Sequence, residues 1–471
     1  MKISKSEQKL QKTSYGDYLE EIRLETERVP RVHSSVLATS CEKTRSEMST
    51  KNLLERVVSG ENMNEAIKRV EKNKGSHGID GMKVDILRPF LMEHGKAIVL
   101  EILDGRYKPQ PVRRVNIPKP DGGKRGLGIP TVVDRVIQQA IAQVLSKVFE
   151  PTFSEHSYGF RPNKGAHKAL KQAEMYLNEG NKYVVDLDLE KFFDRVNHDI
   201  LMSLIAKKVE DKRLLKLIRS YLSAGVMEHG VIIPTGEGTP QGGPLSPLLS
   251  NVMLDGLDKL LESRGHKFCR YADDCNVYVK SKRAGERVMA NIKNFLETEL
   301  KLKVNESKSA VASPTRRKFL GYSFYWTKKG YRLRVHPKSV SKIKGKIKEV
   351  TNRNVSMNFD ERVSKLIEKT RGWVNYFKMA DMKNIIIQID QWIRRRLRAC
   401  IWKTWKRIRT RFANLKKLGI KPNKAWEYAN TRKGYWRISK SPILTTAIPN
   451  DLLEKRGYIS MLKLYNKVRL A

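Results

Sequence analysis

Several features that define common protein classes are missing from this sequence. Its 471 residues include four cysteines (Cys41, Cys269, Cys275 and Cys400), none of which form a Cys-x-x-Cys pair. This spacing supports neither a zinc ribbon nor a disulfide framework. No apolar run approaches the roughly 20 residues that span a bilayer, and the N-terminus lacks the apolar stretch of a signal peptide. The sequence therefore predicts a cytoplasmic protein without a membrane partner.

Acidic residues are scarce relative to basic ones. The chain has 93 Lys and Arg against 50 Asp and Glu, a formal net charge of +43, and no acidic residue lies between Asp390 and Glu427. A small domain needs a net charge of only about 2–8 in magnitude to stay in solution. The larger surplus favours a nucleic-acid partner, because binding releases the counterions condensed on that polyanion. With 40% hydrophobic residues the chain can also bury a core.

Hydrophobic periodicity places a few elements along the chain. The segment Val132–Phe149 has the pattern of an amphipathic helix. The β-branched content and alternation of Tyr183–Leu189 predict a strand with Asp186 and Asp188 on one face. The segment Phe268–Val279 predicts two short strands around a tight Asp-Asp turn.

That turn, Tyr271-Ala-Asp-Asp274, carries the clearest chemical signal. Two adjacent carboxylates repel each other, but they become useful when divalent cations lie between them and a phosphate. Two metal ions roughly 3.5–4 Å apart can activate a primer 3′-hydroxyl and stabilise the leaving pyrophosphate. A solvated loop is the plain alternative, but apolar flanking strands and an upstream aspartate strand count against it. We therefore predict that Asp188 joins Asp273 and Asp274 in a catalytic metal site.

The motifs also resemble those of a known family. Tyr-Ala-Asp-Asp is similar to the YxDD box of reverse transcriptases, and further boxes follow in that family's order from about Leu53 to Tyr325. The chain resembles a group II intron-encoded reverse transcriptase/maturase of the bacterial type that lacks the endonuclease domain. This implies an α+β fold of the right-hand polymerase type. The implied domains are a partly flexible N-terminal extension (1–52), the N-terminal reverse transcriptase extension and fingers (53–182), a palm with a small antiparallel sheet (183–325), an α-helical thumb/maturase domain (326–425) and a basic C-terminal segment that binds DNA or RNA (426–471).

The resemblance assigns the metal ligands residue by residue. Asp188-Leu-Glu-Lys-Phe-Phe-Asp194 is similar to the family's first palm motif. Asp186 does not match this motif, so we expect it to be structural or to contact the metal ligands without binding the metal itself. The implied ligands are Asp188, the main-chain carbonyl of Leu189, Asp273 and Asp274, holding two Mg²⁺ ions with Mn²⁺ as a substitute.

Further residues are implied to bind the nucleotide, template and primer. Phe193 falls where such enzymes exclude a ribose 2′-hydroxyl, so the substrate should be a dNTP. Without this resemblance, Phe193 would be interpreted as an ordinary aromatic residue of the core.

The Gly-rich basic hairpin Lys119–Pro130 is not a P-loop, since GxxxxGK[ST] is absent. Lys308 matches a lysine proposed to protonate pyrophosphate. The implied nucleotide-binding residues are Lys119, Arg125, Phe193, Gln241 and Leu189, and the implied template and primer residues are Arg161, Gly242, Phe319, Leu320 and Gly321.

After about Tyr325 the sequence becomes helical and strongly basic. Apolar residues keep helical spacing from Ile393 to Phe412 while arginines and lysines crowd the other faces. Arg371–Phe377 resembles the maturase region, which could bind folded RNA by phosphate contact and stacking. The alternative is a helical bundle with Trp392 and Trp405 in its core. The two interpretations are compatible if the tryptophans pack in the core while the arginines face RNA. The implied RNA contacts are Arg371, Arg394, Arg395, Arg398, Lys403 and Arg407.

The implied function is that of an RNA-directed DNA polymerase that also binds its own intron RNA to promote splicing and retrohoming. Its expected partners are the intron RNA, an RNA template with a DNA or RNA primer, target DNA and dNTPs. No paired Cys-x-x-Cys follows Tyr435, so we expect no zinc-stapled endonuclease and a primer that comes from elsewhere, such as a nascent strand. One rival is a reverse transcriptase of a defence or diversity-generating system, and another is an RNA-binding splicing factor that no longer polymerises.

Overall fold

The structure is a computed structural model that describes residues 50–118, 123–228, 231–233, 236–239 and 242–470, without the side chains of residues 125, 231 and 232. It divides into two compact units. The first takes in the described residues up to Ala169 together with Val185–Val311, and the second takes in Leu170–Val184 and the described residues from Ala312 onward. The N-terminal extension predicted over 1–52 lies almost wholly outside the described residues. The five predicted segments stay a prediction.

Helices make up much of the first unit. The bounds predicted for Val132–Phe149 are confirmed, and its start is capped by Thr131, whose hydroxyl accepts a hydrogen bond from Asp134 N at 3.1 Å. This helix is buried on more faces than an amphipathic surface helix would be. The helices up to residue 298 are α1 (Leu53–Val58), α2 (Gly60–Asn73), α3 (Leu87–Leu103), α4 (Val132–Phe149), α5 (Ala166–Asn178, mostly in the second unit), α6 (His198–Ala206), α7 (Lys212–Ser223), α8 (Ser246–Ser263) and α9 (Lys282–Thr298).

Two four-stranded sheets accompany these helices. The first has the order β2-β1-β4-β5, with β1 antiparallel to β2 and parallel to β4. The second, which we call the palm sheet, has the order β6-β7-β3-β8. The strands are β1 (Val112–Pro118), β2 (Lys124–Ile129), β3 (Tyr183–Leu187), β4 (Val226–Glu228), β5 (Val231–Ile233), β6 (Lys267–Tyr271), β7 (Asp274–Val279) and β8 (Ala310–Ala312).

The sequence predictions for the palm sheet hold with one adjustment. The predicted hairpin over Phe268–Val279 is confirmed as β6 and β7, which pair antiparallel with Tyr271 opposite Asp274. The predicted strand beginning at Tyr183 ends at Leu187, two residues earlier than expected. Asp188 therefore follows the strand rather than lying within it.

The second unit contains a β-hairpin and a set of helices. In the hairpin, β9 (Tyr322–Thr327) pairs antiparallel with β10 (Gly330–Val335). The helices are α10 (Pro337–Val350), α11 (Phe359–Tyr376), α12 (Lys383–Thr404), α13 (Ile408–Lys417), α14 (Pro422–Ala429), α15 (Tyr435–Ile438), α16 (Pro442–Ala447), α17 (Asn450–Lys455) and α18 (Met461–Leu470).

The helical spacing predicted to run through to Phe412 is wrong beyond α12. The buried face of α12 ends in the core with Trp402, which is 1% exposed, and the backbone leaves the helix at Trp405. Ile408, at the start of α13, is 43% exposed, so no core contact continues the stripe. The buried tryptophan is thus Trp402, whereas Trp392 and Trp405 are only half-buried.

The C-terminal segment packs against α12 through a buried carboxylate. Asp390 accepts hydrogen bonds from Tyr458 Oη at 2.6 Å, Met461 N at 2.9 Å and Leu462 N at 3.0 Å. Its charge lies at the start of α18, where the helix dipole favours an anion. Among the residues that the structure describes, no helix is both long and apolar enough to cross a bilayer.

Candidate active site

The Asp-Asp turn lies at the tip of a buried hairpin. Ala272 takes a left-handed backbone conformation with φ +57°, which is uncommon for a residue with a side chain. Asp273 is half-buried and Asp274 is exposed, so neither residue is sealed in the core. The strands behind them are buried: burial raises the pKa of the thiols of Cys269 and Cys275, which leaves them as inert packing residues.

The third predicted carboxylate lies directly after the neighbouring strand. β3 lies beside β7 in the palm sheet and ends at Leu187, so Asp188 is the next residue along the chain. The Asn276 amide, with its nitrogen turned toward Asp186, donates to Asp186 Oδ1 at 3.0 Å. Asp186 thus contacts a buried side chain of β7, and its structural or supporting role stays a prediction.

Asp188 is held by the chain segment that follows α9. Asn305 N donates to Asp188 O at 2.8 Å, and Asp188 N donates to Ser309 Oγ at 3.0 Å. Leu189 pairs with Val304 in an isolated β-bridge whose backbone hydrogen bonds are accepted by the flanking carbonyls of Asp188 and Lys303. The bridge therefore does not use the Leu189 carbonyl, which resemblance assigns to the metal.

The predicted ligands offer the type of donor atom that a hard divalent cation prefers. Carboxylate and carbonyl oxygens are the donors that Mg²⁺ prefers. A positive charge already faces this set, since Lys308 Nζ lies 3.6 Å from Asp188 Oδ2. No three His, Cys, Asp or Glu side chains of the described residues, however, lie in an arrangement that could hold a metal ion. Among the described residues, the three aspartates therefore do not form a finished metal cage, and their shared role stays a prediction.

The predicted nucleotide-binding residues are described only in part. Phe193 is half-buried and stands edge-to-face to the buried Phe192, with ring centroids 5.1 Å apart. Phe193 O accepts a hydrogen bond from Thr239 N at 2.7 Å, which ties this segment to the chain before Gln241. Lys119 and Gln241 lie outside the described residues, and Arg125 is described only as backbone in β2.

The two adjacent glycines of the second palm box approach the protein itself. Gly242 has φ +132°, and a Cβ built on it would lie 2.6 Å from Gly128 O. A Cβ on Gly243 would lie 2.2 Å from the side-chain oxygen of Gln138. Gly242 therefore needs glycine, because its backbone passes close to the backbone of β2, whereas Gly243 faces the end of a side chain of α4. Their role toward a nucleotide or template stays a prediction.

Arg161, predicted to contact the template, is used internally. Its guanidinium is buried and donates to Glu150 Oε1 at 3.0 Å, to Ser157 O at 2.9 Å and to Ser154 O. This places Arg161 as a brace of the loop before α5, and its template contact stays a prediction.

The predicted primer grip, Phe319 to Gly321, forms a tight turn in the second unit. Leu320 and Gly321 have φ +50° and +85°. Tyr376 Oη donates to Leu320 O at 2.8 Å, and Ser339 Oγ donates to Gly321 O at 2.9 Å. The turn is thus fixed by α10 and α11, the latter containing the maturase-like segment. Its contact with a primer stays a prediction.

The predicted RNA contacts fall into two groups. Arg371 and Arg407 are exposed. Three of the others make internal contacts: Arg398 is buried and donates to Ile448 O at 2.8 Å, while Lys403 donates to Arg353 O at 2.8 Å. Half-buried Arg394 lies on the same helix, and Arg395 stacks on the ring of Trp436. A basic stripe in the sequence is therefore partly a set of packing residues.

Sequence patterns missed a buried charged residue beside the turn. Arg270, the residue before Tyr271, is 0% exposed and pairs with Asp258 on α8. The available signal was a charged residue between apolar neighbours in a strand, because such a group is buried only when it is paired.

Comparison with known proteins agrees with this geometry. Residues 117–324 match the family described as "Reverse transcriptase (RNA-dependent DNA polymerase)", and residues 340–419 match "Group II intron, maturase-specific domain". The first match contains Asp188, Asp273 and Asp274. The second covers most of α10 to α13.

Individual relatives cover the chain to different extents. Protein YkfC of Escherichia coli K12 is 32% identical over 55% of this chain and 78% of that protein. The group II intron-encoded protein LtrA of Lactococcus lactis is 31% identical over 61% of this chain, which spans 57% of LtrA. A chain of the partial Cas6-RT-Cas1–Cas2 complex is 24% identical over 57% of this chain and 46% of its own, with a TM-score of 0.35, and supports no inference. The chain therefore belongs to the group II intron-type reverse transcriptases, a family of RNA-dependent DNA polymerases that carry a maturase-specific domain.

Proposed function

We propose that this protein copies RNA into DNA and also acts as a maturase for the group II intron that encodes it. The observation that supports the polymerase half is that Asp188 directly follows β3, and β3 lies beside β7, the strand that begins at Asp274. The reaction is attack of a primer 3′-oxygen on the α-phosphate of a template-paired dNTP, with pyrophosphate leaving. RNA template, primer and dNTP are accordingly the proposed substrates.

Three aspartates would hold the metal in this scheme. Asp188, Asp273 and Asp274, with the Leu189 carbonyl, are the ligands we assign to two Mg²⁺ ions, with Mn²⁺ able to substitute. Bound there, the ions lower the pKa of the attacking hydroxyl and neutralise charge on the phosphates. Three carboxylates held at one place would need such cations to compensate their negative charge.

Two neighbouring side chains complete the scheme. Lys308 is assigned to protonate the leaving pyrophosphate, and the distance of 3.6 Å from its Nζ to Asp188 Oδ2 supports this assignment. Phe193 is assigned to exclude the ribose 2′-hydroxyl, because its side chain is half-buried and remains partly accessible. The neighbouring Phe192, by contrast, is buried in the core. Lys119, Arg125 and Gln241 are assigned to the triphosphate and base pair by resemblance.

The maturase half rests on the second unit. Its family match and the acid-free basic stretch after Asp390 favour binding to folded RNA through phosphate contacts. Exposed Arg371 and Arg407 are the candidate contacts among the six predicted residues. The proposed partner is the intron RNA, with splicing and retrohoming into target DNA as outcomes. The maturase match counts against a defence or diversity-generating system.

Primer extension on an RNA template tests the proposal, with wild type beside Asp273→Asn. The asparagine keeps the size of the side chain but removes a charge that the metal needs, so we expect extension to fall to background. The same variant should still promote splicing of the RNA that flanks its reading frame. Equal DNA product from both proteins would remove the polymerase function, and no effect of either protein on splicing would remove the maturase function.

A further inference from the structure

One buried side chain, Arg270 of β6, makes a full set of hydrogen bonds behind the Asp-Asp turn. Its Nε and Nη2 donate to the two oxygens of Asp258 at 2.7 and 2.5 Å. Nη1 donates to Asn251 Oδ1 and to Ala272 O, both at 3.0 Å, and Nη2 also donates to Ser157 Oγ at 2.9 Å. All five N–H groups of the guanidinium are therefore used.

The partners of Arg270 come from elements far apart in the sequence. Asp258 and Asn251 lie two turns apart on α8, and Ser157 lies in the loop before α5. The backbone of that loop also pairs with β6, since Tyr158 N donates to Arg270 O at 2.8 Å. Arg270 thus joins a helix and a loop to the strand that leads into the turn.

The hydrogen bond from Arg270 to Ala272 O links this network to the Asp-Asp turn. Ala272 is the residue before Asp273, and its left-handed φ of +57° is unfavourable without support. The carbonyl of Ala272 belongs to the same peptide plane as the nitrogen of Asp273. Fixing that carbonyl therefore fixes the direction in which the chain enters Asp273.

The Arg270–Asp258 pair is well suited to a rigid anchor. Both side chains are 0% exposed, and a bidentate guanidinium–carboxylate pair has a defined orientation. Burial lowers the pKa of Arg270, but the adjacent Asp258 carboxylate outweighs this effect and raises it overall, so the guanidinium stays charged.

We propose that Arg270 is a positioning residue for nucleotide addition, which holds the Ala272 carbonyl and thereby sets the direction of Asp273 toward the metal. This inference rests on the proposed polymerase function. Arg270 touches no substrate in this scheme and acts only through the turn.

The test compares two variants, since removing one partner of a buried pair leaves the other charge uncompensated. Arg270→Met combined with Asp258→Met replaces both charges by apolar groups, which a core often tolerates. Arg270→Lys keeps the charge but cannot reach all the partners. Folding is checked by circular dichroism and thermal melting.

The readouts separate positioning from general folding. For folded variants we expect the maximal rate of single-nucleotide addition to fall about tenfold or more, with primer–template affinity unchanged. Mn²⁺ affinity, measured by electron paramagnetic resonance with primer–template bound, should weaken about tenfold, with Asp273→Asn as reference. A purely structural residue would reduce the folded fraction without moving the metal affinity of the folded protein.

The possible results distinguish the role of Arg270 from the polymerase function. Folded variants with wild-type rate and Mn²⁺ affinity would overturn the role of Arg270 while leaving the polymerase intact. If neither variant folds, Arg270 is a folding residue and the inference is rejected. A wild-type protein that extends no primer, by contrast, would overturn the proposed function itself.

Discussion

A single methyl group at Gly159 would press on the backbone of the Asp-Asp turn. A Cβ at this position would lie 2.4 Å from Ala272 N, where ordinary contact begins at 3.4 Å. The loop cannot easily retreat, because Gly159 O accepts a hydrogen bond from the buried Asn251 Nδ2 at 2.9 Å. In Gly159→Ala the turn would therefore have to move by about 1 Å, a displacement that costs about 100-fold in rate at a positioned reaction centre.

The assay is single-nucleotide addition to a primer on an RNA template under saturating dNTP. We expect Gly159→Ala to remain folded, with a melting temperature lowered by the overpacking, and to add nucleotides about 100-fold more slowly than wild type. Gly165→Ala is the matched control, because nothing lies within 4 Å of a Cβ at Gly165 in the same region of the chain. A folded Gly159→Ala protein that reacts at the control's rate would show that the turn's position does not govern catalysis.

Two further predictions concern selectivity and pH. Phe193→Val should raise ribonucleotide incorporation relative to dNTP, because a smaller side chain leaves room for the 2′-hydroxyl; unchanged selectivity in competition assays would remove the gate assignment. Burial opposes ionisation of Asp381, but hydrogen bonds from Tyr325 and Arg469 and the charge of Arg332 outweigh it and hold the pKa of this carboxyl below its ordinary value. A carboxyl with a lowered pKa stabilises the fold above its unfolded pKa of about 3.9 and loses this contribution as pH falls through the lower folded value. The urea midpoint of wild type should therefore exceed that of Asp381→Asn at pH 6 and approach it below about pH 4, and a gap independent of pH would contradict the ion-pair account.

Local patterns were enough where one segment carries the whole signal. The helix Val132–Phe149 and the hairpin around Asp273 follow from periodicity and from turn chemistry within about a dozen residues. Local patterns failed where the burial of a side chain depends on residues that are distant in the sequence. Arg398 reads as one more cation of a basic stripe, yet it donates to Ile448 O, fifty residues away.

By itself, the sequence predicted the candidate reacting groups and their order along the chain, because carboxylates next to β-branched strands and a large basic surplus are properties of residue type and short spacing. Only the tertiary structure decided how those groups are held. The β3–β7 neighbourhood, the Gly159 contact and the Arg270 network join segments up to 113 residues apart. Chain entropy opposes bringing such segments together, so their meeting depends on the packing of the whole unit, and no local pattern records it.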